Sequence, residues 1–478
     1  MGRRDARHAR NAKGKMPGMR KGRGAKGSHG IQSAARLRRE YLGFCPLGAT
    51  STNSLPAATT TAPLVVQRRQ FASVSAATFF EEFVHPRQPV VLETDGVRGG
   101  PLAALLGLRG AAARWGRPGA EGTAALRTSA AGNCTVAVEQ RLSTSSSFGQ
   151  QDAKTRHSMT LAEFCQGLES GNELRYLTTQ PLPEDADGCP TALAAPHVMH
   201  LLQGAKRLRP LIVGKLVPVQ YNIWLGRAAD GSTSGLHHDF HDNLYLLLRG
   251  RKQFRLFSPR CVDFLQPSGA KRGRPHLHAN GLLCYAPGIR DDGAPSDIAR
   301  AWARKNGVQA KASALAASAN DSDEDEEAML ERALDDAMAG SDDSEGEVDA
   351  AAGQDALPDS FCGVSTADGA GSAGRPPPVP KELRDRHLVA SLAEGDILYL
   401  PASWFHEVIS SGGDAGGHLA LNIWMAPPHA GGTFDAPYED DFWESKYQAL
   451  RQASRSRRSS RRPGHKRRRD KADAAESA

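Results

Sequence analysis

The chain of 478 residues contains no run approaching the roughly 18 apolar residues that a membrane-spanning helix needs. No apolar core follows the basic start, so a secretory leader is not expected. The seven cysteines (Cys45, Cys134, Cys165, Cys189, Cys261, Cys284 and Cys362) include no CxxC pair. That odd, scattered set argues against a disulfide framework and against a structural zinc site. Aromatic residues are sparse, at 6%, while Ala, Gly, Ser and Arg crowd both ends and one internal segment. Together these absences predict a soluble, intracellular protein with reduced thiols, no membrane partner and one large folded domain carrying disordered attachments.

Charge of a single sign is missing overall but not locally, because the formal net charge of +7 hides segregated blocks. Arg and Lys stud the first 39 residues, and the tail RQASRSRRSSRRPGHKRRRDK has Asp470 as its only acid. Between them DSDEDEEAMLERALDDAMAGSDDSEGEVD, residues 321–349, has Arg332 as its only base. Like charges in such blocks repel one another, so residues 1–70, 287–385 and 451–478 are predicted to be disordered. KRRR at 466–469, preceded by RSRRSSRR, reads as a bipartite nuclear localisation signal; a flexible solubilising or RNA-contacting tail is the alternative, and a cytoplasmic location is the alternative to the nucleus. In the acidic block, EEAMLERALDDAMA offers either a partner-binding helix or a solvated linker.

Folded structure is predicted over 74–286 and 386–450. SVSAATFFEEFVHPRQPVVLE opens it as a helix capped by Ser75, burying Phe79, Phe80 and Phe83, followed by a strand at Val90–Leu92. Short strands then concentrate at 219–286 and 388–425, each half too small to close a stable sheet alone. The predicted fold is mainly β with flanking helices: a double-stranded β-helix, or jelly roll, interrupted by the acidic insertion.

Within it, GLHHDFHDNLYLLLRGRKQF (235–254) crowds His237, His238, Asp239 and His241 before a run of leucines. Strand alternation turns His237, Asp239, Asn243, Tyr245 and Leu247 to one side and His238 to the other. A two-residue hairpin turn at Arg249–Gly250 would pair Leu247 with Lys252, leaving the leucines as a pocket floor. A His-x-Asp pair suits a divalent first-row metal but needs a third ligand. His406, in GDILYLPASWFHEVISSGG, would complete a two-histidine, one-carboxylate triad with open coordination positions. His241 is read as a group on the substrate side, and Trp224, Trp404 and Trp424 as core aromatics.

With STSGLHHDFHDNLYLLLRGRKQFRLFSP and GDILYLPASWFHEV in this order, the chain resembles the Jumonji C (JmjC) family of the cupin superfamily, over about residues 74–430. The resemblance implies Fe(II) held by His237, Asp239 and His406, and 2-oxoglutarate whose distal carboxylate pairs with Lys252 and the Ser234 hydroxyl. Asn243 and Asn422 would lie beside the metal-chelating end of the cosubstrate, and Tyr221 would form pocket wall. Such an enzyme couples decarboxylation of 2-oxoglutarate to succinate and CO2 with hydroxylation of a substrate carbon. Asp239 in place of Glu, and the lack of cysteine clusters, favour the small JmjC-only protein hydroxylases. A lysine demethylase, a tRNA hydroxylase and an inactive scaffold remain as alternatives, as does a homodimer built through residues 435–454.

Overall fold

Short strands rich in β-branched and aromatic residues recur between residues 64 and 425, and in the computed structural model they assemble into two large sheets. The structure describes residues 64–141, 156–305, 357–411 and 417–460, except 173, 186–189, 228–231, 272, 369, 372–375, 382 and 385–386. The basic segment before residue 64, the acidic block 321–349 with its helical pattern, the KRRR tail, Cys45 and Cys189 lie outside the described residues.

In chain order the strands are β1 (Leu64–Val65), β2 (Arg68–Gln70), β3 (Val90–Glu93), β4 (Thr135–Gln140), β5 (Arg156–Thr160), β6 (Arg175–Leu177), β7 (Pro218–Gly226) and β8 (Ser232–Thr233). They continue as β9 (Asp242–Arg249), β10 (Arg251–Phe257), β11 (His276–Leu277), β12 (Leu283–Cys284), β13 (Leu388–Leu392), β14 (Ile397–Leu400), β15 (Phe405–Ser411) and β16 (His418–Met425). The α-helices are α1 (Ala76–Phe79), α2 (Gly100–Leu106), α3 (Gly119–Thr128), α4 (Leu161–Glu169), α5 (Pro196–Leu201), α6 (Val262–Leu265), α7 (Ser296–Lys305) and α8 (Phe442–Ser460).

One sheet has nine strands in the order β2-β3-β14-β9-β16-β7-β6-β4-β5, the other five in the order β1-β13-β10-β15-β8. Tyr245, Leu247 and Leu398 of the larger sheet pack with Phe254, Leu256 and Leu388 of the smaller, so the sheets face each other across a shared core. On its outer side the nine-stranded sheet buries Leu244, Leu246 and Leu248 against residues of the N-terminal helices, among them Phe79, Phe83 and Leu102. This is the predicted jelly roll with its N-terminal helices gathered on one side.

The leucine run therefore has an explanation other than a pocket floor. Strand β9 sits in the middle of the larger sheet and is buried along its whole length. Covered on both faces, it needs apolar side chains at odd and even positions alike, each contributing about 1.5–3 kcal/mol on burial. Only Tyr245 and Leu247 of the apolar set face inward.

Strands β9 and β10 do not form the expected hairpin, since β9 pairs with β14 and β16, and β10 with β13 and β15. The chain instead crosses from one sheet to the other at Gly250, whose φ is +84° and whose missing Cβ would sit 2.3 Å from the His418 ring. Lys252, Phe254 and Leu256 still face inward, by the alternation of a strand in the opposite sheet. Because both the φ and the close approach demand glycine, Gly250→Ala is expected to cost about 1–3 kcal/mol, read as a lower denaturation midpoint in urea. An unchanged midpoint would show that this arch carries no strain.

Ser75 caps α1 by accepting from the Thr78 amide at 3.0 Å, and the helix continues as a π-helical turn over Phe80–Val84. Order begins earlier than predicted. β1 pairs in parallel with β13, and Arg68 in β2 bonds Glu93 at 2.7 Å and Asp396 at 2.8 Å. The insertion is also narrower than 287–385. Ile298, Ala299 and Trp302 on α7 pack with Phe442 of α8, while Phe361 and Cys362 are buried beside the barrel. Helix α8 runs on to Ser460, past the predicted boundary at 450. At residues 64–70 and in the insertion, a few apolar or ion-paired side chains anchor a segment whose average composition suggests none.

Candidate metal centre

The segment from Gly235 to His241 is not a strand, contrary to the alternation reading. His237 makes a single bridge to His406, with His237 N donating to His406 O at 3.0 Å and His406 N to His237 O at 2.6 Å. Directly opposed residues project to the same side, and the two imidazole centroids lie 4.3 Å apart. The Asp239 carbonyl accepts from Ser403 N at 2.7 Å, tying the carboxylate to the loop that leads into His406. As a result one potential ligand atom from each of His237, Asp239 and His406 lies within 4.8 Å of the others.

Both histidines present the same tautomer. Nδ1 of His237 faces the Gly235 carbonyl at 3.0 Å, and Nδ1 of His406 faces the Trp404 carbonyl at 2.9 Å. Donation there leaves each Nε2 lone pair for a cation, and His406 Nε2 stands 3.9 Å from Asp239 Oδ2. Burial, with the mutual proximity of the rings, pushes the His237 pKa down to about 4, and burial takes His406 down to about 4. Burial also pushes the Asp239 carboxyl up. Two neutral imidazoles and a carboxylate form a donor set that fits a divalent first-row metal.

Register in the smaller sheet sets the rest of the pocket. Facing pairs Leu256–His406, Phe254–Val408 and Lys252–Ser410 put His406, Val408 and Ser410 on one face with Phe254 and Lys252. Lys252 thus lies opposite a residue four positions beyond His406, roughly 13 Å along the strand, a span suited to a short dicarboxylate with one end at the metal. Its Nζ donates to Ser410 Oγ at 2.6 Å and Tyr176 Oη at 3.3 Å, and the structure gives it no acidic partner among the described residues. Burial pushes its pKa down to about 7. An ammonium buried without a counter-charge is a receptor for an anion.

From the larger sheet come Asn243, Tyr245 and Asn422, with Asn422 opposite Tyr245. Both polar atoms of the Asn422 amide, and Oδ1 of Asn243, are buried without a hydrogen-bond partner. Such orphaned groups cost about 1–3 kcal/mol each unless a ligand or water meets them, so the pocket fits a polar guest.

Two expected residues are placed differently. Ser234 lines the pocket, but its hydroxyl donates to the Gly235 carbonyl and accepts from Val408 N, and the hydroxyls bonded to Lys252 belong to Tyr176 and Ser410. Tyr221 is not pocket wall. Its β7 parity turns it with Ile223 and Leu225 into the helix-side core, where its hydroxyl bonds the Leu208 carbonyl. Ser410 could have been found from its even spacing after His406; Tyr176 is in another sheet and carried no local signal. His238 faces away, with Nε2 bonded to Tyr285 Oη at 2.8 Å, and His241 stacks on Trp424 with centroids 5.4 Å apart.

Comparison with known proteins bears on the fold and the family. A family model described as a cupin-like domain matches residues 76–430. The chain is also 32% identical over 379 residues to JmjC domain-containing protein 4 of Schizosaccharomyces pombe, a match covering 66% of this chain and 78% of that protein.

Proposed function

The chain belongs to the cupin-like family of JmjC domains, and from that premise we propose that it is an Fe(II)- and 2-oxoglutarate-dependent dioxygenase that hydroxylates a protein side chain. The observation that carries this reading is the pairing, in one pocket, of the His237–Asp239–His406 cluster with the buried Lys252 ammonium. Fe(II) together with 2-oxoglutarate supplies the activation of dioxygen, at the expense of decarboxylating the keto acid to succinate and CO2.

The residues of the chain have distinct tasks. His237 and His406 would offer Nε2, and Asp239 a carboxylate oxygen, to the metal. Lys252, backed by Tyr176 and Ser410, would hold the distal carboxylate, while Asn243 and Asn422 meet polar atoms nearer the metal. Trp224, Phe254, Phe361 and Val408 line the same space and keep bulk water from it.

A groove of about 550 Å³ supports a protein substrate. Phe240 and His241, the two residues after Asp239, contribute to it, as do Leu182, Ile298 and Leu450. Its lining holds Glu184, Asp185 and Asp359 against one base, Lys446, besides an Asp292 neutralised by Arg290, and that acidic excess disfavours a phosphodiester backbone.

The test is turnover of 2-oxoglutarate to succinate by the purified full chain with Fe(II), compared with His237→Ala. Removing a metal ligand is expected to lower succinate formation at least about 10²-fold. Equal rates in the two proteins would refute the proposal.

A further inference from the structure

Part of the predicted insertion lies inside the candidate site. Residues 359–362 run beside the His237 segment, where His238 N donates to Ser360 O at 3.2 Å and Cys362 N to Leu236 O at 2.8 Å. Between these bonds His237 and Phe361 form an antiparallel bridge. Their rings stack with centroids 4.6 Å apart and planes 8° from parallel. Phe361 is 1% exposed and lines the pocket with His237, Asp239 and His406.

The same segment is fastened from the other ligand. Glu407, next to His406 and fully buried, accepts from Ser365 Oγ at 2.6 Å, Thr366 N at 2.5 Å and Thr366 Oγ1 at 2.7 Å. It also accepts from Thr233 Oγ1 at 2.5 Å, in β8. One carboxylate therefore joins the 359–366 segment and β8 to the strand bearing His406. Phe361 reaches His237 from this anchored base, across 124 positions of sequence.

The Nδ1 bond to Gly235 fixes which nitrogen of His237 faces the pocket, but a single bond leaves the ring plane free to tilt about it. A flat aromatic face 4.6 Å away removes that freedom. We infer that Phe361 is a positioning residue, holding the His237 imidazole at the angle from which Nε2 binds the metal. This rests on the dioxygenase reading above.

Cobalt(II), whose visible spectrum reports its coordination, is the probe, titrated into the full-length chain without 2-oxoglutarate. Phe361→Ala is expected to weaken Co(II) binding roughly 10–100-fold and to change the visible band shape. Phe361→Leu, which keeps most of the apolar volume, should weaken it at least about threefold, and Phe361→Tyr, which keeps the flat face, should stay within about twofold of wild type. Should Phe361→Ala fail to fold, the Leu and Tyr variants decide alone. Wild-type affinity and spectrum in Phe361→Leu would overturn the inference and leave Phe361 as packing. If the wild-type chain itself gave no Co(II) spectrum that His237→Ala abolishes, the metal reading would fall instead.

Discussion

Lys252→Met is expected to raise the dissociation constant for 2-oxoglutarate about 10²- to 10³-fold, because the carboxylate loses a buried cation worth about 2–5 kcal/mol. Isothermal titration of the Mn(II)-loaded protein under nitrogen measures it. Binding within about threefold of wild type would show that the anion is held elsewhere. The charge also predicts a pH dependence. Burial takes Lys252 from its ordinary 10.5 to about 7 in the ligand-free fold. Between those values the unfolded chain holds a proton that the folded chain lacks, so the ligand-free protein gains stability as pH rises from about 7 to 10.5. Binding a carboxylate restores the proton. Above pH 7, 2-oxoglutarate must therefore bind with proton uptake, and its dissociation constant should climb with pH toward about tenfold per unit. A constant unchanged between pH 7 and 9 would contradict this, as would a Met variant that keeps the wild-type pH dependence.

Asp242→Ala is the substitution with the largest expected cost in stability. The Asp242 carboxylate is fully buried and accepts from Arg87 Nη1 at 2.8 Å and Nη2 at 2.5 Å, Tyr399 Oη at 2.8 Å and Ala402 N at 2.9 Å. It lies three residues after Asp239, and Ala402 four before His406. Arg87 adds a link through its carbonyl, which accepts from Trp404 Nε1 at 3.1 Å. Losing the carboxylate leaves a buried guanidinium with no counter-charge, a loss of about 3–5 kcal/mol. The joint replacement Arg87→Met with Asp242→Leu removes both charges and should recover most of that loss. Thermal denaturation of both proteins checks it. A double variant no more stable than Asp242→Ala would mean that packing, not charge pairing, dominates there.

The site was legible where its signal is local. His237 and Asp239 stand two apart before a recognisable strand, and His406 follows a recognisable turn, so spacing and resemblance were enough to nominate them. Parity correctly turned Asn243, Tyr245 and Leu247 one way and His238 the other, even though the residues before β9 are not a strand. The resemblance failed for Tyr221, because the spacing before the first histidine is loose and β7 alternation turns this residue into the helix-side core. The hairpin at Gly250 failed for a different reason. A glycine with positive φ serves a tight turn or an arch between sheets equally well, and only the pairing partners distinguish them.

Composition misled in the opposite direction at the insertion. Averaged over 287–385, charge and small residues predict no structure, yet Ile298 and Trp302 pack with Phe442 and Phe361 stacks on the His237 ring. Tyr176 and Ser410 beside Lys252 are a third case, since the pocket brings them together from β6 and β15.

The sequence by itself determined the jelly-roll class, the JmjC family and the identities of the candidate ligands, since residue type and short spacing are properties of the chain alone. Tertiary structure decided which hydroxyls meet Lys252, which face of each strand lines the cavity, and that Phe361 stacks on His237. Those depend on strand register and sheet pairing, where contacts over more than a hundred positions are chosen by which buried surfaces and polar groups can be satisfied together.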